Sequence, residues 1–558
     1  MAAGRFDLHR WVHVRKKQKI ARRKPMTRNE PNTATGQTSE VQIHWSATLI
    51  LAVTILISGC TTLGPDFKAP TVDIQPDWQD AADPMISDQP QAHPEWWRIF
   101  NDPVLEKLID TARLDNLTLR SAAVRILQAR AQLGIATGSK YPQVQTTTGS
   151  AAAVKLSSNA TDNIPLLENR FAVYSWDFNL TWEADLWGRY TRLIESASAQ
   201  LDATVASYDD VMIALVAEVA RTYVLIRTAE DQLELTRGNI RIQTESLRIA
   251  DTRFRFGAVT GLDVEQAKSS LYNTEAQIPS LEITLRQLKN AMAVLLGRPP
   301  QDLSQLLGGP RPIPVTPPEV ALGMPQDLIR RRPDIRVAEA LLVAQGAQIG
   351  YAITDLYPAF SLGGTVGLST TDIGGKDMLD LFDGDSFSSK FYGGFQWNIF
   401  NYGRLKNNVR LQDASFQQLL INYQNDVLVA QAEVDNAIIS YLRSHDQARS
   451  LSMATDSAKK SVELATMQYE EGEIDFDRVL STTNALLQQQ NALAAAEGTI
   501  ATSLIATYKA LGGGWEVRAD RAPDDLIPDA TKDEMRERTK YWDDVLPVSS
   551  NPSGTSPK

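Results

Sequence analysis

Apolar side chains recur every seven residues through the middle of the chain. A first series ends at Phe254, and a second runs 215 residues further on, from Leu420 to Tyr469, with Thr455 as its one polar member. A heptad kept over this length predicts long helices in left-handed coiled-coil packing. The first series is Val205, Met212, Val219, Ile226, Leu233, Ile240, Leu247 and Phe254.

Each heptad series predicts one arm of a helical hairpin. From Arg189 to Phe256 there is no proline and one glycine, Gly238, so we expect a single helix of roughly 100 Å. Gly257 and Gly472 follow the two series, and glycine commonly ends a helix. Taken alone, this pattern also fits an ordinary coiled-coil spacer. The return helices are expected from about Leu262 to Leu296 and from about Phe476 to Leu511.

Before each long helix the hydrophobic period changes to two. Trp176, Phe178 and Trp182 alternate with polar residues, and Phe395 and Trp397 do the same in the second copy. Segments of about ten residues with this alternation are typical of outer-membrane strands, with the apolar face toward lipid and the polar face toward the lumen. A soluble sheet with one buried face has the same period. The four expected strands are Gln143 to Ala152, Arg170 to Trp182, Pro358 to Ser369 and Phe391 to Phe400.

Four strands are too few to close a membrane sheet. An open edge in lipid leaves unpaired backbone groups that cost several kcal/mol each, and single-chain barrels begin at about eight strands. Several chains must therefore share one barrel, so we expect an obligate homo-oligomer.

The chain is a tandem repeat with a shift of 215. Gly188-Arg189 matches Gly403-Arg404, and Leu296-Gly297 matches Leu511-Gly512. A period this long indicates a duplicated domain rather than a solenoid. The expected parts are an export signal (1–59), a lipid anchor with an extended segment (60–95), a first repeat (96–297), a Pro-rich equatorial connector (298–325), a second repeat (326–512) and a C-terminal tail, mobile or wrapped around the outside (513–558).

The N-terminus has the order of an export signal. Ten Lys and Arg residues against three acidic ones are followed by the apolar run ATLILAVTILI at 47–57 and then by small residues. This order favours export over nucleic-acid binding, and eleven apolar residues span only about 16 Å, too short to cross a membrane. Ile57-Ser58-Gly59-Cys60 resembles the bacterial lipobox, which implies cleavage after Gly59 and acylation of Cys60. A chance cysteine after an ordinary signal peptide is the alternative, and Met26 is a second candidate start.

Residues and motifs that commonly catalyse reactions or bind metals are scarce. Cys60 is the only cysteine, the chain has five histidines, and no GxxxxGK[ST], GxSxG or HExxH motif is present. The sequence therefore predicts neither an enzyme nor a metal or cofactor site.

Three short phrases add a family resemblance. Together with the lipobox and the duplicated strand and helix units, they resemble the TolC-like outer-membrane factors of tripartite efflux pumps, in the lipoprotein (OprM-like, nodulation-type) branch. The resemblance extends over about Cys60 to Trp515. The phrases are Leu186-Trp187-Gly188-Arg189, Asn401-Tyr402-Gly403-Arg404 and Arg331-Arg332-Pro333-Asp334-Ile335.

That resemblance implies a mixed α and β membrane protein. The expected homotrimer shares a 12-stranded β-barrel, with four strands from each chain, which continues as a long α-helical coiled-coil barrel across the periplasm. Its implied partners are a periplasmic adaptor (membrane fusion) protein and an inner-membrane pump of the resistance-nodulation-division type.

The two hairpin tips are similar to the segments that meet the adaptor in this family. Some relatives also carry carboxylates six and nine residues after the second turn glycine. Here those positions are Arg478 and Ser481, so Asp475, Asp477 and Arg478 become the candidate gate, although an acidic helix start favoured by the helix dipole is an equal alternative. The expected contact residues, which are otherwise simple turn residues, are Phe254, Gly257, Val259, Thr260, Gly261, Gly472 and Ile474.

We therefore expect a passive exit duct in the outer membrane of a Gram-negative bacterium. It conducts small molecules, whether drugs, toxic compounds or metal ions, and the pump rather than the duct selects them. Two alternatives remain at this point. One is a non-conducting coiled-coil lipoprotein that tethers the outer membrane, and the other is the exit duct of a protein secretion system.

Overall fold

Two long helical hairpins and one four-stranded sheet form the body of the computed structural model. It describes residues 61–72, 74–87, 94–157, 170–317, 320–321, 331–518, 521, 523–543 and 545–546. The expected cleavage after Gly59 and the expected lipid on Cys60 lie outside these ranges. Across the described ranges no helix combines the length and the apolar character needed to cross a membrane.

The two halves of the chain repeat one order of elements: a helix, two strands, a long helix and a return arm. The first half contains α1 (Pro103–Asp115), α2 (Leu117–Gly138), β1 (Val144–Lys155), β2 (Arg170–Glu183), α3 (Arg189–Arg255), α4 (Gly261–Glu275) and α5 (Gln277–Leu295). The second half contains α6 (Pro333–Thr354), β3 (Ala359–Thr371), β4 (Phe387–Gln396), α7 (Arg404–Glu471) and α8 (Phe476–Ala510), and α9 (Asp529–Arg538) follows.

The long helices begin and end close to the predicted residues. Helix α3 has 67 residues and α7 has 68. Gly188 and Gly403 precede them with φ of 74° and 82°, and Gly472 ends α7 with φ of 85°. These backbone angles lie in the left-handed region that favours glycine, which is why the boundaries fall there.

The return arm of the second hairpin is continuous as expected, but the arm of the first is not. It is interrupted at Ala276, between α4 and α5. Pro279 is the reason, because it has no N–H to donate to the carbonyl of Glu275 and its ring clashes with that carbonyl. The prediction of one helix from Leu262 to Leu296 is wrong at this point.

The sheet is antiparallel throughout, in the order β1-β2-β3-β4. Three strands agree with prediction to within about three residues, whereas the fourth is displaced. β4 pairs with β3 from Gln396 opposite Ala359 to Phe387 opposite Leu368. The pairing stops where β3 begins, so Trp397 lies beyond the strand and its prediction as a strand residue is wrong.

The heptad describes the buried stripe of α3 only in part. Met212, Val219, Ile226 and Leu233 are buried, but Ile240 is only half-buried. Helix α3 packs against α6 and α8 as well as against α4 and α5 of its own hairpin. Its buried stripe therefore follows several neighbouring helices rather than one coiled-coil seam.

The main apolar core, the equatorial cluster, forms where α1, α2, α3 and α8 meet the N- and C-terminal segments. Trp96 stacks on Tyr508 with ring centroids 5.5 Å apart. Ile527, Met535 and Leu546 are buried in the same cluster. The described part of the C-terminal segment is thus packed on the body.

Each return arm ends against the start of another helix. The side chain of Asn116, which caps α2, donates through Nδ2 to the carbonyl of Leu295 at 2.9 Å. Arg332, which precedes α6, donates through Nη1 to the carbonyl of Ala510 at 2.8 Å and pairs with Asp334 and Glu433. The arms α5 and α8 therefore abut α2 and α6 end to end, which gives the Arg-Arg-Pro-Asp phrase a structural role as a cap.

Candidate functional site

The sheet separates apolar from polar side chains. The register places Trp176 beside Leu368 and Phe178 beside Val366, and Leu368 beside Phe387, all on one face. The opposite face carries Thr148, Asp177, Asn179 and other small or polar residues. Trp176, Phe178 and Phe395 remain 51%, 48% and 68% exposed. An exposed apolar face opposite a polar one is what a lipid-facing sheet requires.

Tryptophans lie at the end of the sheet nearest the helices. The indole of Trp182 donates to the carbonyl of Lys140 at 3.1 Å, that of Trp187 to Pro358 at 2.8 Å and that of Trp397 to Leu356 at 2.9 Å. Each ring therefore keeps an apolar body and a satisfied N–H, as tryptophans at a membrane interface do. Trp397 therefore belongs to this group of three tryptophans rather than to β4.

Both outer edges of the sheet are open. Among the residues that the structure describes, β1 pairs only with β2, and β4 pairs only with β3. Every residue of β4 is exposed in the single chain. The backbone N–H and C=O groups on the outer sides of these two strands are therefore left without a neighbouring strand among the described residues.

The first hairpin tip presents aromatic residues to solvent. Phe256 is 86% exposed, and Phe254 also lies on the surface. Gly257 turns the chain with φ of 70°, and the Thr260 hydroxyl accepts from the Leu262 N–H to cap α4. Gly261 begins α4, and an added Cβ there would meet the Phe254 ring at 3.7 Å, an ordinary van der Waals contact.

An apolar group, the tip cluster, joins the ends of the two hairpins. Val259 and Ile474 are half-buried against it, so the predicted contact residues are divided between its surface and the exposed turns. Tyr469 and Phe476 meet edge to face with centroids 5.3 Å apart. The cluster consists of Ile249, Ala250, Val264, Ala267, Ala465, Tyr469, Phe476 and Val479.

Polar contacts cross the tip cluster between the hairpins. The Tyr469 hydroxyl donates to Oδ2 of Asp263 at 3.0 Å, and the Arg253 guanidinium lies 4.6 Å above the Tyr469 ring. Gln266 Nε2 donates to Oδ1 of Asp477 at 3.0 Å. Burial, and then the bond to Asp263, raise the pKa of Tyr469 above its usual value, so its hydroxyl stays a donor. We call these five residues the tip clamp.

The three candidate gate residues differ in their surroundings. All three are exposed, but Asp477 belongs to the tip clamp through its bond with Gln266. Asp475 holds the position before α8, but its side chain makes no capping hydrogen bond. Only Asp477 thus connects one hairpin to the other within this chain.

Sequence reasoning overlooked most of the tip clamp. Tyr469 closes the second heptad series at the position where the first series has Phe254. A buried tyrosine needs a hydrogen-bond partner for its hydroxyl. Tyrosine in place of phenylalanine at this heptad position therefore indicates a polar partner nearby. Asp263 is separated from it by 206 residues, and no local pattern pairs the two.

Comparison with known proteins places this geometry in context. The model of the outer membrane efflux protein family matches residues 108–298 and 324–513, one match in each repeat and together more than half of the chain. The pyoverdine export outer membrane protein OpmQ of Pseudomonas putida is 30% identical over 473 residues, which cover 84% of this chain and 97% of that protein. Nodulation protein T of Rhizobium leguminosarum bv. viciae is 28% identical over 461 residues, covering 83% and 92%.

A solved structure shares the fold as well. The outer-membrane channel OprN superposes with a TM-score of 0.76 and 29% identity, covering 82% of this chain and all of that one. The duplicated halves, the two-faced sheet and the paired hairpins agree with these similarities. The chain belongs to the outer membrane efflux protein family.

Proposed function

We propose that this chain is the outer-membrane exit duct of a tripartite efflux pump in a Gram-negative bacterium. It works passively, and its cargo is small molecules. Relatives named for the export of pyoverdine and for the efflux of toluene, solvents and antibiotics support this class of cargo. The family is a class of channels rather than of enzymes.

The observation that carries the proposal is the sheet, which has an exposed apolar face and two open edges. In hydrocarbon each unpaired backbone group costs several kcal/mol, so the edges of β1 and β4 must be paired. Three copies joined edge to edge form a closed barrel of twelve strands, and the polar face then lines the pore. A non-conducting tether gains nothing from such a sheet.

The helical part completes the duct below the membrane. Helices α3 and α7 begin at the sheet, and at about 1.5 Å per residue each extends roughly 100 Å. Three pairs of hairpins continue the barrel as a helical tunnel, and an adaptor and an inner-membrane pump meet it at the tips. We propose that Phe254, Gly257 and the neighbouring turn residues receive the adaptor, and that a lipid on Cys60 anchors each chain.

The tip clamp is the proposed closure of the tunnel. It ties the end of the first hairpin to the end of the second through Tyr469, Asp263 and Arg253, and Asp477 adds a bond from the second hairpin to Gln266. Release of these contacts frees the tips to separate. Asp475 and Arg478, which are exposed beside the clamp, add charge at the entrance, and three-fold symmetry triples that charge.

Conductance tests the proposal. Purified trimers added to planar bilayers should form long-lived pores, and a tether would give no current. Replacing Trp176 and Phe178 together by lysine should block insertion, because a lysine near the bilayer midplane costs about 2–4 kcal/mol. Lysine at Thr148 and Asn179, on the polar face, is the matched control and should still insert. Normal insertion of the first double variant would contradict the lipid-facing assignment.

A further inference from the structure

Between the equatorial cluster and the tip cluster, α3 packs through polar side chains. The equatorial cluster reaches Ile226 on this helix, and the tip cluster starts at Ile249. After the buried Leu233, the buried positions as far as Ser246 carry hydroxyl and amide groups instead of a continuous apolar core. We call these residues the polar band, and they are Thr236, Asn239, Gln243 and Ser246.

The two amide side chains of the polar band are poorly satisfied, whereas the hydroxyls of Thr236 and Ser246 donate to carbonyls of their own helix. Asn239 is 1% exposed and Gln243 is 3% exposed. Asn239 Nδ2 donates to Gln490 Oε1 at 2.6 Å, but Asn239 Oδ1 and both ends of the Gln243 amide have no hydrogen-bond partner among the described residues. Buried polar groups without partners oppose close packing. The hairpins are therefore held together less firmly here than in either apolar cluster.

Both arms of the first hairpin contain a helix-destabilising feature at the height of the polar band, which we call the weak level. Gly238 lies nineteen residues before the tip glycine Gly257, and the break at Ala276 lies nineteen residues after it. Glycine lowers helix stability at the first point, and Pro279 removes a helical hydrogen bond at the second. Because the hairpin is antiparallel, the two points lie side by side.

The second hairpin provides an internal comparison. With the repeat shift of 215, Met453 occupies the position of Gly238, and Ala494 occupies that of Pro279. Both are good helix formers, and α7 and α8 run through this level without interruption. A feature required by the shared fold would be present in both copies. Buried polar atoms of Thr455 and Asn491 in the second hairpin also lack partners among the described residues, so it is the weakness of the helix backbone that is specific to the first hairpin.

Space for movement lies beside the weak level. A cavity of about 660 Å³ is bordered by α3, α7 and α8, and its lining includes Gly238, Asn239, Thr466 and Gln490. The lining of this space also includes Leu235 and Ile242 and is already open to solvent. Separation of the polar band into it therefore has a smaller hydrophobic cost than opening either apolar cluster would incur.

We propose that the level of Gly238 and Ala276 is a hinge in the first hairpin. When the tip clamp opens, the outer parts of α3 and α4 bend at this level, while the second hairpin moves as a stiff rod. The inference rests on the clamp's proposed role as the closure of the duct. It adds the place where bending occurs and the hairpin that bends.

Hydrogen exchange of the full-length protein in detergent tests the hinge independently of transport. Backbone amides of 236–243 and 276–283 should exchange faster than those of the matched segments 451–458 and 491–498. Gly238→Ala should slow exchange at 236–243 about fivefold, which corresponds to the ~1 kcal/mol difference between Gly and Ala in a helix. Met453→Ala is the matched control and should change nothing. Equal exchange in the two hairpins would overturn the hinge.

Conductance then tests whether the hinge takes part in opening. Tyr469→Phe weakens the clamp and should raise the current through planar bilayers. Adding Gly238→Ala and Pro279→Ala should return the current toward the wild-type level, whereas adding Met453→Ala should leave it raised. If the raised current survives stiffening of the first hairpin, the hinge is refuted and the duct is not. If neither wild type nor Tyr469→Phe conducts, the proposed duct fails, and the exchange rates alone decide whether the hinge exists.

Discussion

Tyr469→Phe isolates one bond of the tip clamp. The substitution removes the hydroxyl that donates to Oδ2 of Asp263 at 3.0 Å. It keeps the ring that packs on Phe476 and lies beneath Arg253. The tip cluster should therefore stay intact while the link between the hairpins weakens.

The size of the effect follows from the partner's charge. A hydrogen bond to a charged group contributes about 1.5–3 kcal/mol, and the partly buried position of this one favours the lower value. A loss of about 1.5 kcal/mol shifts the ratio of closed to open tips about tenfold for each chain. Open events in planar bilayers should become more frequent by at least that factor, since a trimer contains three clamps.

Two controls separate this effect from general damage. Tyr272→Phe removes a hydroxyl from an exposed tyrosine on the same helix as Asp263 and should leave the current unchanged. Heat-resistant trimers on gels should persist in both variants. An unchanged current in intact Tyr469→Phe trimers would remove the clamp from gating.

The clamp also predicts how closure depends on pH. The pKa of Tyr469 is raised in the folded protein, by burial first and by Asp263 second. The neutral hydroxyl therefore stabilises the closed tip fully below the usual tyrosine pKa of about 10, and this contribution is lost as pH rises through the higher folded value. Raising the pH from about 7 to about 9 should not open the channel through this residue.

Three further perturbations test other parts of the molecule. Asp475→Ala combined with Asp477→Ala should raise the leak current and reduce its block by multivalent cations, and an unaltered current would exclude both residues from the gate. Cys60→Ala should abolish incorporation of radiolabelled fatty acid, while acylation that persists on the variant would refute the anchor. Arg518→Met removes the partner at 2.7 Å from the fully buried carboxylate of Asp209, which keeps the longer ion pair with Arg336 at 3.6 Å, so we expect a destabilisation of about 3 kcal/mol in thermal unfolding, at the low end for a broken buried pair.

The elements that sequence patterns predict well are those with local causes. Glycines at 188, 257, 403 and 472 mark the ends of α3 and α7, and left-handed backbone angles explain all four. Alternation over 174–182 also identifies which face of β2 is apolar. Each of these signals is contained in a short stretch of chain.

The sequence predictions are wrong or incomplete where a residue far away in the chain determines the local structure. β4 ends at Gln396 because β3 offers no further partner, although alternation continues to Trp397 and beyond. After Leu233 the polar band occupies the buried positions of α3, where Asn239 meets Gln490 of the second hairpin. The bond between Tyr469 and Asp263 joins the two repeats, and no pattern within one repeat indicates it. The kink at Pro279 is different, since its cause was visible in the sequence.

The pairing of β2 with β3 has a consequence for the order of events during biogenesis. β2 comes from the first repeat and β3 from the second, so the central ladder of the sheet cannot form until most of the chain has been synthesised. Until then β1 and β2 are an isolated two-stranded ribbon, which is marginal in water. Export of the complete polypeptide must therefore precede sheet formation, and a chain truncated between the repeats is expected to be degraded rather than inserted.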